Sequence, residues 1–197
     1  MELLKAQKLA IDICYRLQPF CNRINIAGSI RRKKADVKDI EICVSPLTVL
    51  EATSDLFGAG ITTPKIHADF IAIVNDLGKI EKGTPHGRYM KIVLPEGINL
   101  DLFIPLDFDY YRQYAIRTGS ADFSAKVIAY GWKKIGWCGS DLGLRRTEDC
   151  SEHRQPDGKI KYKCERNKNN APPVWESERS FFDWIKVKYL EPQLRNI

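Results

Sequence analysis

The stretch AGSIRRKKADVKDIEICV, residues 27–44, decides the fold of the first half of this 197-residue chain. Its last six residues alternate strictly between polar and apolar side chains, which is the two-residue period of a half-buried β-strand. Asp39 and Glu41 therefore lie on the same face of the predicted strand. Upstream, Gly28-Ser29 follow a short strand and lead into a basic loop over 31–34. The stretch predicts a strand, a glycine turn, a basic loop and a second strand that carries two carboxylates.

A third acidic side chain, Asp101, lies on the polar face of another predicted strand. Residues 88–94 and 99–104 form two predicted strands, and the turn over 95–97 is short enough to join them as an antiparallel hairpin. The apolar face of the second strand consists of Leu100, Leu102 and Ile104. Because side chains alternate across a strand, Asp101 projects from the opposite face.

These acidic residues are suited to phosphoryl transfer. Two carboxylates at strand spacing, with a third from a neighbouring strand, can hold two divalent ions about 3.5–4 Å apart. Oxygen ligands suit Mg²⁺ or Mn²⁺, so we expect two such ions at the site. A Gly-Ser turn can cradle phosphates with its backbone N–H groups and hydroxyl, and the basic loop adds positive charge. Each feature alone is common on a solvated surface, but their joint order is specific.

The other predicted elements place these motifs in a mixed α/β (α+β) fold. Apolar residues recur every three or four positions over 2–17, which predicts an amphipathic helix that Pro19 ends. Further helices are predicted over 47–57, 68–77, 121–132 and 180–190. The tract over 138–176 has weak periodicity and is interpreted as either a β-hairpin or a mobile loop. We expect one domain over 1–108 and a second over 109–197, with that tract as an insertion.

The net charge of +6 comes entirely from the C-terminal part of the chain. Residues 1–111 hold 14 basic and 14 acidic side chains, whereas residues 112–197 hold 17 and 11. Such an excess is typical of a surface that meets a polyanion, although a merely solvated basic surface fits the charge equally well. The longest apolar run, 70–74, is far below the roughly 18 residues of a membrane span, and the N-terminus has no export signal. We expect a cytoplasmic protein without a membrane partner.

The six cysteines are interpreted as free thiols, because they are too few and too scattered for a disulfide framework. A zinc site is the alternative for one group, since three thiols and an imidazole can bind zinc tetrahedrally. This group is Cys138, Cys150, His153 and Cys164. Its spacing lacks the paired C-x-x-C knuckles of well-defined zinc motifs, which favours free cysteines and a surface histidine.

The chain resembles the polymerase-beta-like nucleotidyltransferases, most closely the X-family DNA polymerases. The palm motifs that carry this resemblance are Ala27–Arg32, the eleven-residue step from Gly28 to Asp39, Asp39-Ile-Glu41 and Leu100–Pro105. Two further matches are Arg117-Thr-Gly-Ser120, which resembles the turn beneath the incoming nucleotide, and the closing segment over 177–192. The resemblance implies a nucleotidyltransferase palm over 1–108, followed by a smaller thumb-like domain.

The resemblance also implies a role for individual residues. It assigns Asp39, Glu41 and Asp101 to catalysis as the metal ligands, with Asp101 nearest the primer 3′-hydroxyl, whose pKa it lowers or whose proton it accepts. The implied nucleotide contacts are Gly28, Ser29, Arg32, Lys38, Gly119 and Ser124. The predicted phosphate contacts to nucleic acid, which fix position without reading sequence, are Lys126, Lys133, Lys134, Arg145, Arg146, Lys159, Lys161 and Lys163.

Several positions depart from the family pattern. Glu41 stands where the polymerases usually have Asp, and Ser124 stands where they often have Asn near the base. Ile116-Arg117 replaces the Tyr-Phe pair that helps exclude the ribose 2′-hydroxyl, so the choice between deoxy- and ribonucleotides stays open. Because the sequence starts at the helix before the Gly-Ser turn, we expect no lyase activity, weak DNA binding and distributive synthesis.

The sequence therefore predicts a monomeric enzyme that adds nucleotides from nucleoside triphosphates to a DNA 3′-end and releases pyrophosphate. The predicted substrate is gapped or primer–template DNA, as in repair. Two alternatives remain open. The same palm could act on an RNA, protein or small-molecule acceptor, or the chain could be a nucleic-acid-binding module without catalysis.

Overall fold

The computed structural model describes residues 1–54, 60–140, 143–158, 160–164 and 171–197 of the chain. These residues form two compact units, Met1–Tyr110 and Tyr111–Ile197. Both units combine helices with sheets, as expected for a mixed α+β chain. Among the described residues, no helix is both long and apolar enough to cross a membrane.

The first unit is built on a five-stranded sheet. Its strands are β1 (Cys21–Ile26), β2 (Asp39–Pro46), β5 (Lys79–Lys82), β6 (Tyr89–Val93) and β7 (Asn99–Phe103). They lie in the order β1-β2-β7-β6-β5, with β2 and β7 parallel and the other neighbouring pairs antiparallel. The predicted hairpin over 88–104 is confirmed as β6 and β7, and its turn includes Gly97 at φ +77°.

Two helices cover one face of this sheet. They are α1 (Leu3–Leu17) and α3 (Ala68–Asp76), which confirms the helices predicted over 2–17 and 68–77. The buried side of α1 consists of Ala6, Ala10, Ile13 and Leu17. It packs in one apolar core with alternate residues of the central strands, among them Ile40, Ile42, Leu100 and Leu102. Because strand residues alternate, the polar neighbours of these apolar residues face away from the helices.

The predicted helix over 47–57 is wrong. Thr48–Ser54 forms strand β3 and pairs antiparallel with β4 (Gly60–Ile66), from Thr48↔Ile66 to Ser54↔Gly60, whereas residues 55–59 lie outside the described part. Both segments are rich in threonine and other β-branched residues, which lose rotamer freedom in a helix and fit a pleated strand. Pairing with a later segment thus overrides the helix predicted from the local sequence.

The second unit has helices before and after its strands. They are α4 (Tyr110–Thr118), α5 (Ala121–Phe123), α6 (Tyr130–Lys134) and α7 (Glu178–Trp184). A π-helical segment over Ser124–Ala129 joins α5 to α6, so the helix predicted over 121–132 is confirmed. The predicted helix over 180–190 is confirmed only over 180–184, because α7 both starts and ends earlier than predicted; Ser177 and Ser180 form a reciprocal capping box at its start.

The tract over 138–176 holds β structure. The strands of this region are β8 (Trp137–Ser140), β9 (Gly143–Arg146), β10 (Cys150–Arg154) and β11 (Ile160–Cys164). They form one sheet in the order β10-β11-β8-β9. The core of this unit is aromatic. It includes Phe123, Trp132, Trp137, Trp175, Phe181 and Phe182.

The expectation of free thiols is wrong for two of the six cysteines. Cys150 and Cys164 form a disulfide, because the antiparallel pairing of β10 with β11 places them directly opposite one another. The four others, Cys14, Cys21, Cys43 and Cys138, form no disulfide. Burial raises the pKa of Cys14 to about 11, so this thiol is protonated at neutral pH.

Candidate active site

Three carboxylates project from the sheet face opposite helices α1 and α3. Asp39 and Glu41 project from β2, and Asp101 projects from β7. The parallel register pairs Glu41 with Asp101 and Asp39 with Asn99, so all three carboxylates point to the same side. Each of the three acidic residues is half-buried. The strand register thus brings together the predicted acidic residues of two distant segments.

The surrounding charges act on Asp39 in opposite directions. Burial raises the pKa of the Asp39 carboxyl, and the negative charge of Asp101 raises it further. The charges of Arg32 and Lys38 and a backbone hydrogen bond lower the pKa of the same carboxyl. The predicted basic residues Arg32 and Lys38 therefore lie within electrostatic reach of the acidic cluster. A bound cation would relieve the repulsion between Asp39 and Asp101.

Gly28 lies directly against the side chain of Glu41. It opens the one-turn helix α2 (Gly28–Arg31) at φ +60°, a backbone region that favours glycine. A Cβ atom at this position would lie 1.8 Å from Glu41 Oε2 and 2.6 Å from Glu41 Cδ. The preceding N–H, from Ala27, donates to the backbone oxygen of Glu41 at 2.8 Å. Glycine at position 28 therefore leaves the Glu41 carboxylate the space it occupies.

Ser29 carries a buried hydroxyl that no group in the described residues satisfies. Its Oγ is shielded from solvent and has no hydrogen-bond partner among them. Burying a hydroxyl without a partner costs about 1–3 kcal/mol, so a ligand oxygen that accepts from Ser29 would recover this cost. The predicted role of Ser29 as a phosphate contact fits this orphan group.

Tyr89 is a site residue that sequence reasoning missed. Its hydroxyl donates to Asp101 Oδ1 at 2.8 Å across the pairing of β6 with β7. Its ring stacks on Phe103, with the ring centroids 5.3 Å apart. The alternation of side chains along β6 contains the information needed to find Tyr89. Lys91 pairs directly with Asp101, and Tyr89 lies two residues away on the same face of the strand.

Two predicted nucleotide contacts, Gly119 and Ser124, lie in the second unit. A Cβ atom on Gly119 would lie 2.6 Å from the Phe123 ring, so the turn at Gly119 packs tightly on α5. Ser120 caps α5 by accepting from the Phe123 N–H at 3.0 Å. The Ser124 hydroxyl donates to the Ile116 carbonyl at 2.8 Å, so it links the π-helical segment to α4. The nucleotide role of both residues stays a prediction.

A buried ion pair holds the end of the chain against this turn. Arg195 is fully buried and binds Glu178 through two hydrogen bonds, Nη1 to Oε1 at 2.6 Å and Nη2 to Oε2 at 3.2 Å. The Ser120 N–H donates to the Arg195 carbonyl at 3.0 Å. The Arg195 guanidinium also lies 4.8 Å from the centre of the Phe182 ring. The Arg195–Glu178 pair thereby links α7, the last residues and the turn after Gly119.

The predicted nucleic-acid contacts of the second unit differ in exposure and in the contacts that their side chains make within the protein. Lys133 and Lys134 are exposed at the end of α6, whereas Lys126 forms an ion pair with Asp122 at 3.0 Å. The Arg145 Nη1 donates to the Leu144 carbonyl, and the Arg146 guanidinium lies 4.6 Å from the centre of the Trp137 ring. Lys161 and Lys163 are exposed on β11, and Lys159 lies outside the described residues.

The four-residue zinc set considered from the sequence comes together only in part. The sulfur atoms of Cys138, Cys150 and Cys164 lie within 4.8 Å of one another. His153 is not in this group, because it lies three residues after Cys150 on β10 and so on the other face of the strand. Its Nε2 lies 3.2 Å from the hydroxyl of Ser151.

Comparison with known proteins gives a family match for the second unit. Residues 114–196 match the family model described as DNA polymerase beta thumb. This range contains the turn at Gly119, helices α5 to α7 and the four-stranded sheet. No curated protein matches the chain. The match relates the chain to the polymerase-beta-like proteins through its second unit.

Proposed function

From the relationship of this chain to the X-family DNA polymerases, we propose that it is a metal-dependent nucleotidyltransferase that extends a DNA 3′-end from nucleoside triphosphates. In this proposal the first unit is the nucleotidyltransferase palm, and the matched residues 114–196 are the thumb. The observation that carries the proposal is the parallel register of β2 with β7, which places Asp39, Glu41 and Asp101 on one face.

The acidic cluster fits one or two divalent ions of the Mg²⁺ or Mn²⁺ class. It offers only oxygen donors, and the like charge of Asp101 raises the pKa of Asp39, a repulsion that a cation relieves. Asp39, Glu41 and Asp101 would hold the ions. When bound, such ions neutralise the charge that develops on the transferred phosphoryl group.

The side chains around the cluster would position the substrates. The Ser29 hydroxyl donates to a phosphate oxygen, and Arg32 and Lys38 attract the triphosphate by charge. The Tyr89 hydroxyl holds one oxygen of Asp101 at 2.8 Å and leaves the other to act on the primer 3′-hydroxyl. Positioning of this kind supplies most of the rate enhancement in phosphoryl transfer.

The second unit would bind the nucleic acid. The match to a polymerase thumb and the basic excess of residues 112–197 both support DNA as the partner. Lys133 and Lys134 are the exposed cations we assign to phosphate contacts.

The test is an incorporation assay with the full chain. The protein is incubated with labelled, gapped duplex DNA, nucleoside triphosphates and Mg²⁺ or Mn²⁺, and we expect primer extension with release of pyrophosphate. Asp101→Asn should abolish extension, because it removes one carboxylate charge and keeps the side-chain volume. Asp12→Asn is the matched control, since Asp12 is exposed on the outer side of α1.

The outcomes separate the competing functions. Extension by Asp101→Asn at the wild-type rate contradicts the assignment of the metal ligands. Salt-sensitive DNA binding without any incorporation, from protein with a cooperative unfolding transition, identifies a non-catalytic binding module. Parallel reactions with an RNA end, a protein hydroxyl or a small-molecule hydroxyl identify a different acceptor for the same palm.

A further inference from the structure

The hairpin of β10 and β11 has almost no apolar core of its own. None of the residues of Cys150–Arg154 and Ile160–Cys164 is buried. Among the residues that the structure describes, strand β11 pairs with β8 through a single bridge, Tyr162↔Ser140. Small β-structures that bury little apolar surface depend on covalent or metal cross-links for a fixed position. A cross-link through cysteine sulfur atoms is therefore the expected way of holding this hairpin to the rest of the sheet.

Three sulfur atoms converge where the hairpin meets the rest of the sheet. Cys150 and Cys164 close the open end of the hairpin, and Cys138 comes from β8. The Cys138 side chain is buried at 1% exposure, and its sulfur lies within 4.8 Å of both disulfide sulfurs. The three residues thus belong to three strands of one sheet and share one small volume.

This spacing is close to that of a thiolate metal site. Zinc binds cysteine sulfur at about 2.3 Å with tetrahedral angles, which places two sulfur ligands about 3.8 Å apart. Sulfur atoms already within 4.8 Å need only small side-chain rotations to reach that geometry once the disulfide is reduced. Four-coordinate zinc requires one more donor.

Glu152 is the candidate fourth donor, and its carboxylate, which is not within 4.8 Å of all three sulfur atoms, has to rotate towards them. It lies two residues after Cys150, so it projects from the same face of β10. The Tyr162 hydroxyl donates to Glu152 Oε1 at 3.0 Å, which orients the carboxylate and leaves Oε2 available. Burial raises the pKa of the Cys138 thiol, and the nearby negative charge of Glu152 raises it further, whereas a hydrogen bond from Thr147 and the positive charge of Lys133 lower it.

We propose that the reduced protein binds one zinc ion through Cys138, Cys150, Cys164 and Glu152, and that the Cys150–Cys164 disulfide is the oxidised, metal-free alternative. A dithiol reductant converts the disulfide to two thiols and becomes a disulfide itself, which balances two electrons and two protons. Zinc then displaces one proton from each of the three thiols. The ion ties the hairpin to β8, a link that the disulfide alone does not make.

This proposal does not depend on the acidic site of the first unit, and its test does not use enzyme activity. The protein is reduced with a dithiol, the reductant is removed under anaerobic conditions, and Co²⁺ is added in the presence of excess Mg²⁺ to occupy the acidic site. We expect one equivalent of Co²⁺ to give a thiolate charge-transfer band, which zinc then bleaches. Carboxylate-bound cobalt gives no such band.

The variants identify the ligands. Cys138→Ser should lower zinc affinity at least tenfold and weaken the charge-transfer band, whereas Cys14→Ser should bind like the wild type, since Cys14 is a half-buried thiol of the first unit. Glu152→Gln should reduce affinity and keep the band. Equal zinc binding by Cys138→Ser and the wild type would overturn the proposal.

Alkylation of the wild type gives a readout that needs no variant to fold. Zinc should protect Cys138, Cys150 and Cys164 of the reduced protein from iodoacetamide together, and should leave the alkylation of Cys14 and Cys21 unchanged. Reduced wild-type protein that gives no thiolate band and no joint protection contradicts the metal site, and leaves the disulfide as the only cross-link of the hairpin.

Discussion

At the scale of single residues, the candidate active site depends on how closely the chain approaches itself. Gly28 lies against the Glu41 carboxylate, and Asp39 carries a charge that burial and Asp101 both disfavour. Neither position is optimal for the stability of the folded chain. Arrangements of this kind are common where binding or catalysis requires them.

Replacing Gly28 by alanine should reduce the rate of nucleotide incorporation more than it reduces the stability of the fold. The new Cβ would lie 1.8 Å from Glu41 Oε2, so the carboxylate of this proposed metal ligand has to rotate away. We expect incorporation to fall on the order of 100-fold, as for other displacements of about 1 Å in an active site. Gly97→Ala is the control, since Gly97 also has a positive φ but has no atom within 4 Å of the added Cβ. Equal activity in the two variants contradicts this reading of Gly28.

The raised pKa of Asp39 predicts a pH-dependent effect on stability. The unfolded chain loses this proton near the ordinary pKa of 3.8, whereas the folded chain loses it at higher pH. The ionised carboxylate therefore lowers the free energy of unfolding above the folded-state pKa and has no effect well below 3.8.

Asp39→Asn should accordingly raise the melting temperature in metal-free buffer at neutral pH. At pH about 2.5, where both states of the wild type are protonated, the gain should vanish. Mg²⁺ or Mn²⁺ should stabilise the wild type and leave the variant unchanged. Thermal unfolding followed by circular dichroism measures both effects, with Asp12→Asn as the control. A gain in stability that is independent of pH would contradict the electrostatic explanation.

At the scale of elements, α7 and the end of the chain form one structural piece. The Arg195–Glu178 ion pair is buried, and Arg195 also donates through Nε to the Leu190 carbonyl at 2.8 Å. A buried charge without its partner is costly, whereas a pair replaced as a whole by apolar side chains is often tolerated.

Arg195→Met should destabilise the second unit by about 3–5 kcal/mol, because it removes the positive charge beside the buried Glu178 carboxylate. The double variant Arg195→Met/Glu178→Leu should recover a large part of this loss. Urea unfolding followed by tryptophan fluorescence is selective, because all four tryptophans lie in residues 132–184. Arg179→Met is the control, since Arg179 is exposed and should cost less than about 1 kcal/mol. A double variant less stable than Arg195→Met contradicts the role of the pair.

The elements also explain which sequence predictions succeeded. The helices of the first unit and strands β2, β6 and β7 follow from local periodicity, because each buries one side against a single core. The register of β2 with β7 does not follow from local periodicity, since it joins segments that are far apart in sequence. The 47–57 segment was wrongly predicted because its structure depends on pairing with β4.

The disulfide left a signal in the sequence that composition and spacing rules do not detect. Pro156-Asp157-Gly158 is a typical turn sequence, and Cys150 and Cys164 each lie seven residues from Asp157. Folding a hairpin about this turn places the two cysteines opposite one another. Counting outward from the turn would have predicted the pair. The convergence of Cys138 could not be predicted in this way, because β8 joins the hairpin through tertiary packing.

At the scale of the whole molecule, the net charge is divided between the same two units as the structure. Residues 1–111 have equal numbers of acidic and basic side chains, and the net charge of +6 comes from residues 112–197. A neutral unit that holds a proposed metal site is thus followed by a basic unit that matches a polymerase thumb.

DNA binding should therefore weaken steeply with salt through the second unit. Each phosphate contact contributes close to one unit to the slope of log K against log salt. Lys133→Ala and Lys134→Ala should each reduce the slope by about one, and weaken binding uniformly across sequences. Lys8→Ala is the control, because Lys8 is exposed on α1 of the neutral unit. Titration by fluorescence anisotropy at several salt concentrations measures the slopes, and equal slopes for all variants contradict the assignment.

The parallel pairing of β2 with β7 also has a kinetic consequence. Glu41 and Asp101 are 60 positions apart in sequence, whereas the β1–β2 and β6–β7 hairpins close over short distances. Loop-closure entropy makes the long-range pairing the slower event, so the two hairpins form before they meet. Because Asp39 and Glu41 lie on one hairpin and Asp101 lies on the other, the acidic cluster should form only when the two hairpins dock, late in folding.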